Sequence, residues 1–149
     1  MTVRERVLFL CTHNSARSQM AEAWLRALAG ERYVAESAGT EATRVHPLAS
    51  RAMAEVGIDL QGQTSKTLER FRNERWDWVI TVCDDANERC PIFPGARHRA
   101  HWSFEDPSGA VGSEAERLAT FRKVREQIRA RLDGWLAEQA ASEHERREP

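Results

Sequence analysis

Short apolar runs alternate with amphipathic stretches along this chain. Residues 7–10 form a continuous apolar run with the length of a strand that is buried on both faces, as in a parallel sheet. A polar loop follows, and apolar residues then recur at helical spacing from Met20 to Leu28, with Gly30 placed to end the helix. The pattern therefore predicts a strand, a loop and a helix at the start of the chain.

The same alternation continues toward the C-terminus. Four signals carry it: β-branched and aromatic runs, a proline that opens a helix, glycines that end one, and a final series of apolar residues at steps of three and four. The predicted elements are a second strand starting at Tyr33-Val34-Ala35 and closed by Ala38-Gly39, a helix from Pro47 to Gly57, a short helix capped by Thr64 or Ser65 and running through Phe71, a third strand over residues 76–82, a fourth and more polar strand over residues 97–102, and a long helix through Leu118 and Trp135.

This order of elements is typical of an α/β fold. It predicts a three-layer sandwich in which helices flank a central, four-stranded, mostly parallel sheet. No repeat or linker divides the 149 residues, so residues 1–149 are predicted to form one domain. The charged tail from about residue 141 is expected to be frayed.

Composition excludes several classes of function. The net charge of −1 provides no field that would attract nucleic acid or an anionic membrane. No apolar run reaches membrane or signal-peptide length, so we expect a cytoplasmic protein. Nothing in the sequence suggests an oligomer, so a monomer is expected. Thiols stay reduced in the cytoplasm, which makes the three cysteines better candidates for catalysis or metal binding than for a structural disulfide.

The loop after the first strand carries the strongest chemical signal. It reads Cys-Thr-His-Asn-Ser-Ala-Arg-Ser over residues 11–18. Backbone N–H groups converge at a turn that opens a helix, and Arg17 adds a planar set of donors that suits a tetrahedral oxyanion. The same surroundings stabilise a thiolate at Cys11, to which Ser18 can also donate. A buried strand-end cysteine and a surface arginine are the plainer alternative, but their placement at the first strand–loop–helix junction favours catalysis. The residues expected to surround the oxyanion are Thr12, His13, Asn14, Ser15, Ala16, Arg17 and Ser18.

These residues carry a resemblance to a known family. A Cys-x5-Arg-Ser loop after the first strand resembles the low-molecular-weight protein tyrosine phosphatase superfamily. The form seen here, continued by Gln-Met-Ala-Glu, is more similar to the superfamily's arsenate reductase branch, which is coupled to thioredoxin. The similarity extends from Arg6 to about Leu136.

The resemblance implies a general acid at Asp106. Asp106-Pro107 matches the superfamily's Asp-Pro pair, and Pro107 stiffens the loop and favours an extended Asp106. The alternative is a plain turn, since Asp-Pro is common in turns.

The two other cysteines are what a reductase needs and a phosphatase does not. Cys83 closes the third predicted strand, so it is expected at the same sheet edge as Cys11, and Cys90 follows on a polar loop. The resemblance implies that Cys11 attacks arsenate, that Cys83 then forms a disulfide with Cys11, and that Cys90 resolves it to a Cys83–Cys90 disulfide reduced by thioredoxin. The alternatives are two incidental thiols, or a zinc site with His98 or His101, which the spacing of the cysteines disfavours.

The resemblance also bears on cofactors. Some family members bind potassium beside the loop through residues that match Asn14, Glu22 and Ser37, with a further acidic ligand that falls at Lys66 here. Lysine cannot ligate a cation, so neither potassium nor another cofactor is expected. Lys66 either replaces the ion beside Glu22 or is a solvated surface charge.

Two other functions remain open from the sequence. One is a phosphatase that hydrolyses phosphotyrosine or small esters, although Ser108 stands where phosphatases of the superfamily tend to have tyrosine. The other is a binding module that senses arsenite or zinc without turnover. For a reductase, a low-molecular-weight thiol with a glutaredoxin-like protein is the alternative electron donor to thioredoxin.

Overall fold

In the described residues the sheet has four strands, and every pairing in it is parallel. The structure is a computed structural model that describes residues 3–84 and 90–147. The strands are β1 (Glu5–Cys11), β2 (Tyr33–Gly39), β3 (Trp76–Thr81) and β4 (Ala96–His101), in the spatial order β2-β1-β3-β4. The predicted parallel α/β sheet is thereby confirmed. The fourth strand, the most polar of the set, lies at the edge and is shifted by one residue from its predicted bounds.

Three α-helices of the described part of the chain connect and cover the sheet: α1 (Arg17–Ala29), α2 (Pro47–Ala54) and α3 (Glu114–Arg147). Their apolar faces pack with alternate residues of the strands into the larger core. The opposite face of the sheet carries a smaller cluster, in which Leu8, Leu10 and Val79 meet Phe71 and Phe93. Among the described residues this second face is covered by a 3-10 turn (Leu68–Phe71) and a loop, so the layer is thinner than the three-helix side.

The end of α2 follows the predicted glycine signal. Gly57 has a φ of 81°, and its N–H donates to the Ala54 carbonyl while the N–H of Ile58 donates to Met53. This pair of bonds is the Schellman arrangement that closes a helix, in which glycine takes the left-handed position.

One predicted helix boundary is wrong. The short helix begins at Leu68, because Thr64 and Ser65 do not cap it but lie in an irregular segment beside the loop that follows β1. Helix α3 continues to Arg147, and the fraying expected from about residue 141 stays a prediction. Residues 135–148 contain no glycine or proline, so nothing in the sequence breaks the helix there.

The carboxyl ends of all four strands meet at one edge of the sheet. Cys11 pairs with Gly39 there, Leu10 pairs with Thr81, and Thr81 pairs with His101. The segments that follow β1, β3 and β4 therefore leave the sheet side by side. Within residues 3–84 and 90–147, no helix combines the length and the apolar character needed to cross a membrane.

Candidate active site

The loop between β1 and α1 turns its carbonyl groups outward. The carbonyl of Thr12 accepts from the backbone of Glu41 at 3.0 Å, and that of His13 accepts from the hydroxyl of Ser65 at 3.1 Å. The carbonyl of Ser15 accepts from the backbone N–H of His46 at 3.0 Å. Since the carbonyl groups point away from the loop's centre, the amide groups are left to line it.

The inner side of the loop is a concave set of donors. Within the part of the chain that is described, the N–H groups of residues 13–16 donate to no acceptor. Asn14 takes a left-handed conformation with φ of 48°, which curls the backbone around a centre. Gly39 permits this curl, since a Cβ there would lie 2.6 Å from the Thr12 carbonyl oxygen and 2.8 Å from the Asn14 nitrogen. The arrangement is a nest for an anion at the N-terminus of α1.

Arg17 brings a buried positive charge to this nest. Its side chain is 3 % exposed, and it donates to the carbonyl of Phe104 at 3.2 Å. A second guanidinium nitrogen lies 3.7 Å from a carboxylate oxygen of Asp106. The other carboxylate oxygen of Asp106 accepts from the N–H of Ser108 at 2.9 Å and caps the short 3-10 turn Pro107–Gly109. Arg17 and Asp106, which are distant in sequence and were both predicted to belong to the site, are thus close together.

A hydrogen-bond chain leads to the sulfur of Cys11. The Ser18 hydroxyl lies 2.8 Å from that sulfur and 2.8 Å from the side-chain nitrogen of Asn14. An amide nitrogen can only donate, so the Ser18 oxygen accepts there, and its own hydrogen is available for donation to a thiolate at Cys11. All three side chains are buried. Ser18 is therefore arranged to stabilise a thiolate.

Two glutamines that the sequence analysis did not single out fix the orientation of Asn14. Gln19, which is fully buried, donates to the side-chain oxygen of Asn14 at 2.9 Å. Gln63 donates to the side-chain oxygen of Gln19 at 2.8 Å, and the backbone N–H of Lys66 donates to Asn14 at 2.8 Å. The one local signal was a glutamine on the apolar face of α1, whereas the link to Gln63 depends on contacts distant in sequence.

Cys83 lies beside the base of the loop. It is fully buried, and its thiol donates to the carbonyl of Leu10, the residue before Cys11, at 3.9 Å. Cys90 is half-buried and packs against the larger core. The middle of the predicted loop, residues 85–89, lies outside the described residues. The structure thus places Cys83 at the strand edge that holds Cys11, as its position after β3 predicts.

A buried charge cluster lies behind the loop. Glu22 accepts from Ser37 at 2.6 Å and pairs with Arg26 at 2.6 Å, and the ammonium group of Lys66 lies 3.8 Å from it. That ammonium group also donates to the carbonyl of Thr64 at 2.9 Å. Burial raises the pKa of Glu22, while the Ser37 hydrogen bond and the charges of Lys66 and Arg26 oppose the rise. The Lys66 side chain is 7 % exposed and is therefore not a solvated surface charge.

The histidines considered as zinc ligands have other contacts. His98 stacks on Trp78 with ring centroids 4.9 Å apart, and His101 shares a hydrogen bond of 2.6 Å with Thr81. Among the described residues, no group of three histidine, cysteine or acidic side chains is close enough to hold a metal ion. His13 lies on the rim of the loop, 3.3 Å from Glu41.

Comparison with known proteins agrees with this geometry. Residues 6–146 match the family model of the low molecular weight phosphotyrosine protein phosphatases. An arsenate reductase of Bacillus subtilis is 45% identical over 126 residues, which span 85% of this chain and 91% of that protein. A solved arsenate reductase in a phosphate-binding state is 37% identical with a TM-score of 0.76, covering 90% of this chain and 98% of that one. A thioredoxin-dependent arsenate reductase of Corynebacterium glutamicum is 27% identical with a TM-score of 0.60, covering 93% of this chain and 63% of that one. This protein therefore belongs to the low molecular weight phosphotyrosine protein phosphatase family.

Proposed function

We propose that this protein is an arsenate reductase that converts arsenate to arsenite in the cytoplasm, as part of arsenic detoxification. The observation that carries the proposal is the pairing of an oxyanion nest around Cys11 with a second cysteine, Cys83, next to the base of that nest. The similarity to named arsenate reductases over most of the chain supports it.

Arsenate fits the nest because it has the charge and tetrahedral shape of phosphate. The N–H groups of the loop and the guanidinium of Arg17 hold its oxygens and neutralise the charge that grows on them in the transition state. Arg17 is already buried and oriented by Phe104, so little reorganisation is needed when the anion enters. Cys11 ends β1 and begins the loop that forms the nest, so its sulfur is placed to attack an arsenic atom held there.

The first step forms a bond between the Cys11 sulfur and arsenic(V). The thiolate attacks, one arsenic–oxygen bond breaks, and Asp106 supplies the proton with which that oxygen leaves as water. Asp106 lies 3.7 Å from Arg17, which places the acid next to the residue that holds the anion.

The second step reduces arsenic. The Cys83 thiolate attacks the Cys11 sulfur, the sulfur–arsenic bond breaks, and its electron pair stays on arsenic, which leaves as arsenite. The two electrons come from the two thiols, which become a Cys11–Cys83 disulfide.

Two thiol–disulfide exchanges then regenerate the enzyme. Cys90 attacks Cys83, frees Cys11 and leaves a Cys83–Cys90 disulfide, which a thioredoxin dithiol reduces. Cys90 is the most exposed of the three cysteines, which suits contact with a protein reductant. A relay of this kind needs a reducing compartment, and the cytoplasm provides one.

No cofactor enters this scheme. The Lys66 ammonium group supplies a positive charge beside Glu22, where a monovalent cation would otherwise balance the buried carboxylate. We therefore propose that turnover does not depend on potassium.

Phosphatase activity is the second candidate, because the nest and Asp106-Pro107 also suit hydrolysis of an aryl phosphate through a Cys11 phosphoenzyme. The family match favours retaining it as an alternative. It assigns no role to Cys83 or Cys90.

The two functions separate in a coupled assay. Arsenate-dependent oxidation of NADPH is followed with thioredoxin and thioredoxin reductase, for the wild type and for Cys90→Ser, with arsenate or thioredoxin omitted as controls. The relay predicts turnover in the wild type and its loss in the variant. Steady hydrolysis of an aryl phosphate without arsenate-dependent NADPH oxidation would instead favour the phosphatase. Turnover only with glutathione and a glutaredoxin would replace thioredoxin as the donor.

A further inference from the structure

His46 joins three parts of the structure around the nest. Its backbone N–H donates to the carbonyl of Ser15 at 3.0 Å and so directly holds the loop between β1 and α1 that forms the nest. Its ring is the N-cap of α2, where the Nδ1 atom accepts from the backbone N–H of Leu48 at 3.1 Å. The ring also contacts α3, because its centroid lies 4.7 Å from the centroid of the buried Phe121 ring.

This cap works only with a neutral imidazole. Accepting the Leu48 N–H requires a lone pair on Nδ1, so the proton of the neutral ring must be on Nε2. An imidazolium carries hydrogen on both nitrogens and cannot accept. The usual N-cap side chains, serine, threonine, asparagine and aspartate, keep an acceptor oxygen near neutral pH, whereas histidine makes the cap sensitive to protonation.

Charged groups from three segments face this ring. They are Arg44 on its own segment, Arg117 on α3 and Asp106 after β4. Burial lowers the pKa of His46, Arg117 and Arg44 lower it further, and Asp106 opposes them. The neutral ring that the cap requires is thus the form that its surroundings favour near neutral pH.

We propose that His46 is a positioning residue for the oxyanion nest, and that protonation of its ring weakens anion binding by loosening the start of α2 and the bond to Ser15. The proposal goes beyond the catalytic residues assigned above, and it rests on the proposed function only in taking the loop as the anion site. An imidazolium would also attract an anion, but His46 is half-exposed and solvent screens that attraction. Loss of the cap therefore outweighs this attraction. Loss of an N-cap typically changes the equilibrium constant for forming the helix about three- to ten-fold.

The test compares phosphate binding by the full-length wild type, His46→Asn and His46→Ala between about pH 4 and pH 8, which extends below the range in which an ordinary histidine titrates because the pKa of His46 is lowered. Inorganic phosphate is titrated and its dissociation constant is read from backbone chemical shifts. The ratio of dissociation constants between two variants at one pH removes the titration of phosphate, Cys11 and Asp106, which they share. His46→Asn keeps a cap acceptor and loses the titration, so it is the matched control.

At the alkaline end, His46→Asn should bind phosphate as tightly as the wild type, and at the acid end about three- to ten-fold more tightly. His46→Ala should bind more weakly than His46→Asn at every pH. A ratio of wild type to His46→Asn that does not change with pH would overturn the proposal, as would tighter binding by the wild type at acid pH. If His46→Ala does not fold, the comparison with His46→Asn decides alone.

Failure of this proposal is distinguishable from failure of the proposed function. The predicted pH dependence of phosphate binding without arsenate reduction would contradict only the reductase. Arsenate reduction with identical pH profiles in the wild type and His46→Asn would contradict only the role of His46. No phosphate binding at any pH would contradict both.

Discussion

Replacing Ser18 by alanine tests how the structure activates its nucleophile. The Ser18 hydroxyl is fully buried, 2.8 Å from the Cys11 sulfur, and accepts from Asn14, so its one hydrogen is available to the thiolate. A hydrogen bond to a charged group contributes about 1.5–3 kcal/mol. Every 1.4 kcal/mol is about a tenfold change, so Ser18→Ala should lower the reactivity of Cys11 as a nucleophile by about ten- to a hundred-fold.

The assay is the initial rate of alkylation by iodoacetamide, which reports the thiolate because the thiol reacts poorly. It is run at about pH 6 in a Cys83→Ser, Cys90→Ser background, below the ordinary ionisation range of a cysteine. Ser65→Ala is the matched control, because that hydroxyl donates to the His13 carbonyl and supports the loop without contacting the sulfur. An unchanged rate in Ser18→Ala, or an equal loss in the control, would refute the role assigned to Ser18.

Three further predictions concern the acid, the buried cation and the packing of the helices. Asp106→Asn should lower kcat for arsenate reduction by about 10²–10⁴-fold with a smaller change in KM, because a general acid acts in the transition state; steady-state kinetics checks this, and an unchanged kcat would exclude the role. Lys66→Ala should lower the free energy of unfolding, measured in urea, by about 1–3 kcal/mol, since a buried partner of Glu22 is lost. Exchanging potassium for sodium should leave the turnover of the wild type unchanged, and stimulation by potassium would contradict the account. The hydrogen bond from Arg122 lowers the pKa of Glu55 to about 2, so this carboxylate stabilises the fold above its ordinary pKa and loses that effect as pH falls toward about 2. Glu55→Gln should therefore unfold at lower urea than the wild type at neutral pH, with a gap that narrows on acidification; a gap that does not depend on pH would refute the assignment.

The parts of the site that are contiguous in sequence could be predicted from it. A buried strand, a small polar loop and a helix bring Cys11, Arg17 and Ser18 close together, because the three residues lie on one continuous strand–loop–helix segment. Two further arguments were needed to predict the rest of the site. The resemblance to a family indicated Asp106, and the rule that parallel strands end at one edge of a sheet indicated Cys83. Their positions in the structure agree with both.

What the sequence did not predict depends on contacts between distant segments. Thr64 and Ser65 have the residue types of a helix cap, but they contact other segments instead. The Thr64 carbonyl accepts from the Gln19 side chain, and the Ser65 hydroxyl donates to the His13 carbonyl. His46 differs in part, because its bond to Leu48 is local, whereas its contacts with the Ser15 carbonyl and the Phe121 ring join distant segments. Local propensity cannot indicate which of several possible partners a polar side chain will meet.

The most direct test of the central claim is a single turnover without any external reductant. Fully reduced protein is mixed with equimolar arsenate, arsenite is quantified, and the disulfides are mapped by peptide mass spectrometry. The relay predicts about one arsenite per chain and a Cys83–Cys90 disulfide with Cys11 free, because two thiols supply the two electrons. In Cys90→Ser it predicts the same yield of arsenite with a Cys11–Cys83 disulfide. Absence of arsenite, with all three thiols still open to alkylation, would contradict the account.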